Sequence, residues 1–427
     1  MAKLAIIVAR AYEVISYKKS KYRIEGISQA MNANTYSPVI RYLLVGPVVG
    51  LVVYFASHYT INNFVRAAEV YEVPSAWPVS CFVYRDDNLN GRYDMPDRPY
   101  AGLYVEISRP DGSTANNTSN IAGFTNFRVG RGVPDEAQFF ELGSYGVEAY
   151  PEDGWKITSD MEPNEELKTI ADSNVGGKMI LTPPCAHIGV GADLQVSGVV
   201  ELTDDLGYRD ISLELSSESG QTRTIIVNSS GQYSFSVSPG QLQLIATNKE
   251  TGEQQSRSFE IKSKSMVLSK ISFGDTLAQR TGQDITINFD DVTTSDTLYE
   301  IPSGYHGLDW SYWISTHNKF YEGAGYINGG TSGEFIAYNS SGFPGSFSSD
   351  EGFDFIGTNL TAAWPRGKQG PVVVRAWRGG ELVHEDHVSI SPAGPVYFMA
   401  DYRSVEKVEF LLENYERIVM DDVSIRK

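Results

Sequence analysis

The sequence predicts an all-β protein of tandem β-sandwich domains, two small modules and a C-terminal jelly roll, after an N-terminal membrane segment. Short alternating or β-branched apolar runs recur along the chain, separated by Gly, Asn, Asp and Ser, and helical periodicity is scarce. The composition agrees, with 40 Gly, 25 Tyr and 19 Phe in 427 residues, a length that accommodates two to four domains.

Residues 1–41 form a basic head. Lys3, Arg10, Lys18, Lys19, Lys21, Arg23 and Arg41 against Glu13 and Glu25 give it a net charge of +5; the whole chain carries −18, so the remainder holds −23. A body this acidic repels nucleic acid and anionic lipid and attracts divalent cations. Residues 42–61 come next, uninterruptedly apolar from 43 to 56 and mildly polar to Ile61. The longer stretch suffices to cross a bilayer, and the shorter one matches the core of a signal peptide. Basic residues precede it and none follows until Arg66, which puts the head inside and the body outside. The segment is either a retained single-pass anchor or a cleaved signal, with Val65-Arg66-Ala67 as a small-residue cleavage site and Met31 as an alternative start. Both place the body in the cell envelope or beyond, after a linker at 62–78.

The first domain, residues 79–190, contains the most specific motif. Residues 86–97 follow the calcium-loop pattern D-x-[DN]-x-[DN]-G-x5-E at every position but the last, where Asp97 replaces Glu. Asp86, Asn88, Asn90 and Asp97 offer side-chain oxygens, Arg92 its carbonyl, Asp94 an oxygen through water, and Gly91 makes the sharp turn. Strand-like runs at 79–84 and 103–107 flank the loop where a helical calcium hand has helices, so a bound Ca2+ would staple strands and stiffen the domain. The alternative is a solvated acidic turn without metal.

An internal repeat defines the second domain, residues 193–273. Leu103-Tyr104-Val105-Glu106-Ile107 matches Ile211-Ser212-Leu213-Glu214-Leu215, Asp111-Gly112 matches Ser219-Gly220, and Gly123-Phe124-Thr125-Asn126-Phe127 matches Gly231-Gln232-Tyr233-Ser234-Phe235. All three pairs share an offset of 108 residues, the mark of tandem copies of one unit. Residues 201–207 replace the calcium loop in the second copy and are too short and too poor in oxygen ligands to bind metal.

The strand before the loop, the loop itself, residues 98–105 and residues 123–127 together resemble the calcium-binding B-type repeats of bacterial serine-aspartate surface adhesins. More broadly they resemble the prealbumin-like B-type modules of collagen adhesins and carboxypeptidase regulatory domains. The resemblance implies a calcium role for Asp86, Asn88, Asn90, Arg92, Asp94 and Asp97. Ser119-Asn120 departs from the family's Thr-Asp.

Cys81 and Cys185, the two cysteines, fall near the two ends of the first domain in the exported part of the chain, where thiols oxidise. A disulfide clamping the domain is expected; two separate buried thiols are the alternative.

From residue 284 to 427 the chain is dense in aromatics and Gly, with four of its six Trp: Trp310, Trp313, Trp364 and Trp377. Residues 301–310, 353–355, 360–364 and 419–425 resemble the jelly-roll, galactose-binding-like domains of secreted bacterial proteins. First and last strands often adjoin in a jelly roll, which would bring Asp290, Asp291, Asp421 and Asp422 together as a second calcium site. Tyr305, Tyr312 and Trp313 sit among Gly, Ser and His in loop-like sequence and are the candidate ligand-binding aromatics. Filling the core is the alternative role for such side chains.

Catalytic signatures are missing: there is no nucleophile elbow, zinc helix or phosphate loop. His384 and His387 are spaced to face opposite sides of a strand. The expected function is therefore a non-catalytic surface or envelope protein, a calcium-stiffened rod presenting a tip to a glycan or a neighbouring surface protein. The alternatives are a structural subunit of an envelope assembly and, since two carboxylates suffice for glycoside hydrolysis, a polysaccharide-processing enzyme.

Overall fold

The computed structural model describes residues 79–427 except 109–111, 128–142, 161–164, 168–169, 173–176, 180–184, 186, 275–276, 295–296, 365–369 and 413–415. The basic head, membrane segment and linker lie outside the described residues. All described residues belong to one compact unit, Val73–Lys427. It is all-β; among the described residues the α-helix is Ala324–Gly329.

The repeat read from the sequence is a repeat of topology. In the first module Val79–Arg85 pairs antiparallel with Phe124–Phe127 and parallel with Ile188–Ala192, while Tyr104–Ser108 lies between Thr114–Thr118 and Gly143–Tyr150. The second module repeats the scheme. Gln195–Val199 pairs antiparallel with Gln232–Ser236 and parallel with Met266–Leu268, and Ile211–Ser217 lies between Thr222–Ile225 and Gly240–Asn248. Period-two patterning drives these strands: Val105 and Ile107 point inward between partly or fully exposed neighbours, as do Ile211, Leu213 and Leu215. The turn before each returning strand is also shared. Oδ1 of Asn120 accepts the N–H groups of Ala122 and Phe124, and Oδ1 of Asn228 accepts those of Ser230 and Gln232.

The C-terminal sandwich closes first strand on last, as the sequence implied: Asp284–Ile287 runs antiparallel to Ile418–Arg426, with Asp284 opposite Arg426. Two long bulged strands, Gly345–Ala362 and Val396–Leu411, span its length. Its core is aromatic, with Phe289, Trp313, Phe347, Phe353, Phe355, Phe398 and Phe410 fully buried.

The three parts have separate cores but do not form a rod of modules joined only by linkers. Met266–Leu268 pairs parallel with Gln195–Val199 on one edge and parallel with Val396–Leu411 on the other, so a single 13-stranded sheet runs from the second module through the jelly roll. Leu89 and Trp155 of the first module pack on the second module's core, and Ala393 of the jelly roll lies in the first module's core. Burying a strand edge and these apolar side chains outweighs the mutual repulsion of an acidic body.

Candidate metal loop and ligand surface

The 86–97 loop leaves Val79–Arg85 and returns at Arg98–Pro99, which pairs back onto it. Asp86 is 1% exposed, and its two carboxylate oxygens accept the N–H groups of Asn90 at 3.1 Å and Gly91 at 2.8 Å. Asp97 closes the loop by accepting the N–H groups of Asp87 at 2.9 Å and Asp94 at 3.0 Å. The Asn88 and Asn90 amides donate to the two oxygens of Asp94 at 2.7 and 2.9 Å. Gly91 has φ +75°, and a Cβ there would lie 2.7 Å from the Thr158 carbonyl oxygen, so both the turn and the close approach require glycine.

The loop concentrates negative charge, of which the Arg85–Asp87 ion pair compensates part. Burial raises the Asp97 pKa, with repulsion from Asp86 and Asp94 adding to it and the N–H groups of Asp94 and Asp87 opposing it. Burial followed by Asp86, Asp97 and Asp94 pushes the Tyr84 hydroxyl up to about 12. Arg92 is exposed, and Arg85 turns away to Asp87 at 2.7 Å and to the carbonyls of Asn328 and Gly330. The donors are all oxygen, which suits a hard cation. Among the described residues no three His, Cys, Asp or Glu are grouped to hold a metal. That grouping leaves out the ligand types on which this loop depends, the Asn oxygens and the Arg92 carbonyl.

The second calcium expectation is corrected. Among the described residues Asp290, Asp291, Asp421 and Asp422 do not meet as one ligand set, and the backbone and hydroxyls of residues 331–335 bond Asp290, Asp421 and Asp422. Asp290 Oδ1 accepts from the N–H groups of Glu334 and Phe335. Asp421 Oδ2 accepts from the N–H groups of Thr331 and Ser332 at 2.7 and 3.0 Å, and Asp422 accepts from the hydroxyls of both. Asp291 faces Tyr305 and His306 instead. The sequence offered no sign of this loop or of Asn328, whose amide bonds Ala101 in both directions, because these partners lie up to 227 residues apart.

The aromatic candidates separate. Trp313 is 0% exposed, its indole edge-on to Phe410 at 5.8 Å, which corrects its assignment to a ligand surface: alternation within Trp313–His317 turns it into the core. Tyr312, 56% exposed, is turned outward by a left-handed φ of +59° between two strands, and it meets the exposed Phe343 at 5.4 Å. Tyr305 is partly buried and donates its hydroxyl to Asp291. His384 stacks on Tyr402 at 4.3 Å while His387 lies 3.8 Å from Glu385, so the two histidines serve different neighbours. Cys81 and Cys185 form a disulfide spanning 104 residues.

No family profile matches the chain, and no curated protein matches it. Solved structures that share parts of it include the Bacillus anthracis TIE protein, at 13% identity over 45% of this chain and 33% of that one, with a TM-score of 0.20. The shaft pilin SpaA from Lactobacillus rhamnosus GG matches at 13% identity over 47% of this chain and 99% of that one, TM-score 0.19. BcpA, the major pilin subunit of Bacillus cereus, matches at 8% over 77% and 100%, TM-score 0.19. Likeness at this level is local, and the fold rests on the chain's own strand pairing.

Proposed function

We propose that this is an exported, non-catalytic protein of the cell surface or envelope, stiffened by calcium at residues 86–97 and offering an aromatic contact to a glycan or a neighbouring surface protein. The Cys81–Cys185 disulfide carries the reading, since structural disulfides persist in oxidising compartments. The acidic body and the all-oxygen loop support calcium as the ion. Asp86, Asn88, Asn90, Asp94 and Asp97 would hold it with the Arg92 carbonyl, and the ion would offset both the burial that raises Asp97 and the lesser repulsion from Asp86 and Asp94.

The exposed Tyr312–Phe343 pair is the contact surface, since paired rings beside a loop suit stacking against the apolar face of a sugar. A glycan array probed with the full chain tests it. Binding that disappears in Tyr312→Ala, with folding intact, is the expected result, and unchanged binding in that variant would remove this surface from consideration.

The shared sheet favours a second reading, a structural subunit of an envelope assembly, because a second module and a jelly roll fused this way make a scaffold rather than a stalk with a separate tip. Co-purification of envelope proteins with the full chain, together with an empty glycan array, would select it.

A further inference from the structure

A cavity of about 460 Å³ lies where the second module meets the C-terminal sandwich. Register across the shared sheet builds its wall. Met266 lies opposite Tyr397, Tyr397 opposite Asn359, and Asn359 opposite Asp421. Directly opposed residues share a face, so this row lies on the side turned away from the core of Phe398, Leu360 and Met420. Phe259, Ile261, Met266, Ile356 and Met399 supply apolar lining, and Lys264 and Asn359 line it together with the Glu260–Lys262 ion pair. The size and lining fall in the range of small-molecule sites, which are mostly apolar with a few convergent polar groups.

Two of the polar lining residues, Asn359 and Lys264, have unmet bonding capacity. Asn359 is 5% exposed; its Nδ2 donates to Thr331 Oγ1 at 3.2 Å and Asp422 Oδ2 at 3.3 Å, while its Oδ1 has no partner. A buried carbonyl oxygen left this way is costly and calls for a donor. Lys264 makes no hydrogen bond or ion pair among the described residues; burial, with Arg85 adding to it, lowers its pKa, and the charges of Asp87, Asp422 and Asp421 oppose that without contacting it. The nearest carboxylates are engaged elsewhere, Asp87 with Arg85 and Asp421 and Asp422 with Thr331 and Ser332.

We propose that this cavity binds an N-acylated α-amino acid with an apolar side chain, the unit found at a peptide's C-terminus. Its carboxylate pairs with Lys264, its amide N–H donates to Asn359 Oδ1, and its side chain lies against Met266, Ile356 and Met399. A ligand with only one of these groups would leave either the cation or the acceptor unmet. None of its lining residues belongs to the 86–97 loop or to the Tyr312–Phe343 pair.

Titration calorimetry on the full chain tests this, with N-acetyl-leucine, its C-terminal amide and its N-methyl analogue as probes. The acid is expected to bind saturably with Kd of order 1 mM or tighter. The amide and the N-methyl analogue should each bind roughly tenfold or more weakly, as loss of a charged or a buried hydrogen bond requires. Lys264→Met, which keeps the apolar stem, should lose affinity for the acid to the same extent without a change in melting temperature. Absence of saturable binding, equal affinity for the acid and its amide, or full affinity in Lys264→Met would each overturn the proposal. Asn359→Leu adds a check on the acceptor; if it does not fold, the N-methyl analogue reads the same bond.

Discussion

At the Asp421 carboxyl, burial and then the neighbouring Asp422 charge outweigh the hydrogen bonds from Thr331 and Ser332, and the pKa rises to about 7. The folded protein thus holds a proton that the unfolded chain releases near pH 4. Its contribution to stability is intact at low pH and falls as the pH rises from about 4 to 7. Each pH unit crossed between those two values removes about 1.4 kcal/mol, so the full loss is a few kcal/mol. In the presence of chelator, Asp421→Asn should melt above the parent at pH 8 and converge with it near pH 4. A parallel pair of melting curves across that range would contradict the assignment. Glycine offers a second single-residue test. Gly231 and Gly220 share a left-handed φ of +79° and +76°, but a Cβ on Gly231 would sit 2.2 Å from the Val200 carbonyl oxygen, whereas Gly220 has open space. Gly220→Ala should cost about 1 kcal/mol and Gly231→Ala several times as much, measured by urea unfolding.

At the level of elements, the disulfide ties the entering strand of the first module to the segment leading into its last strand. Chain-entropy arguments put its contribution at about 2–5 kcal/mol, so the Cys81→Ala/Cys185→Ala double variant should unfold earlier by that amount. An unchanged midpoint would argue against a disulfide in the native protein. Much at this scale was legible in the sequence: the 108-residue offset became a shared topology, and alternation such as Val105 and Ile107 fixed which face is buried. The turn at residues 86–97 was legible because the residues that shape it are local. What could not be read depends on distant partners. Trp313 looked like a loop residue until its strand placed it in the core, and Asp290, Asp421 and Asp422 looked like ligands until residues 331–335 took up their oxygens.

Over the whole described unit, edge pairing and interlocked side chains replace linkers. Met266–Leu268 pairs with a strand of the second module and a strand of the jelly roll, and Arg85, 2% exposed, reaches from the base of the 86–97 loop to the Asn328 and Gly330 carbonyls of the jelly roll. An ion at residues 86–97 would therefore act on the strand that carries this tie and stiffen the joined body, beyond the loop alone. Calcium that binds only the folded form stabilises it by RT ln(1 + [L]/Kd), about 2.7 kcal/mol at a hundredfold excess over Kd. The most direct measurement is the melting temperature of the purified chain as calcium is raised from chelator to millimolar concentrations, beside Asp86→Asn. A rise of several degrees in the parent, lost in the variant, is the expected result; curves that ignore calcium, or a rise of equal size in both proteins, would contradict the account.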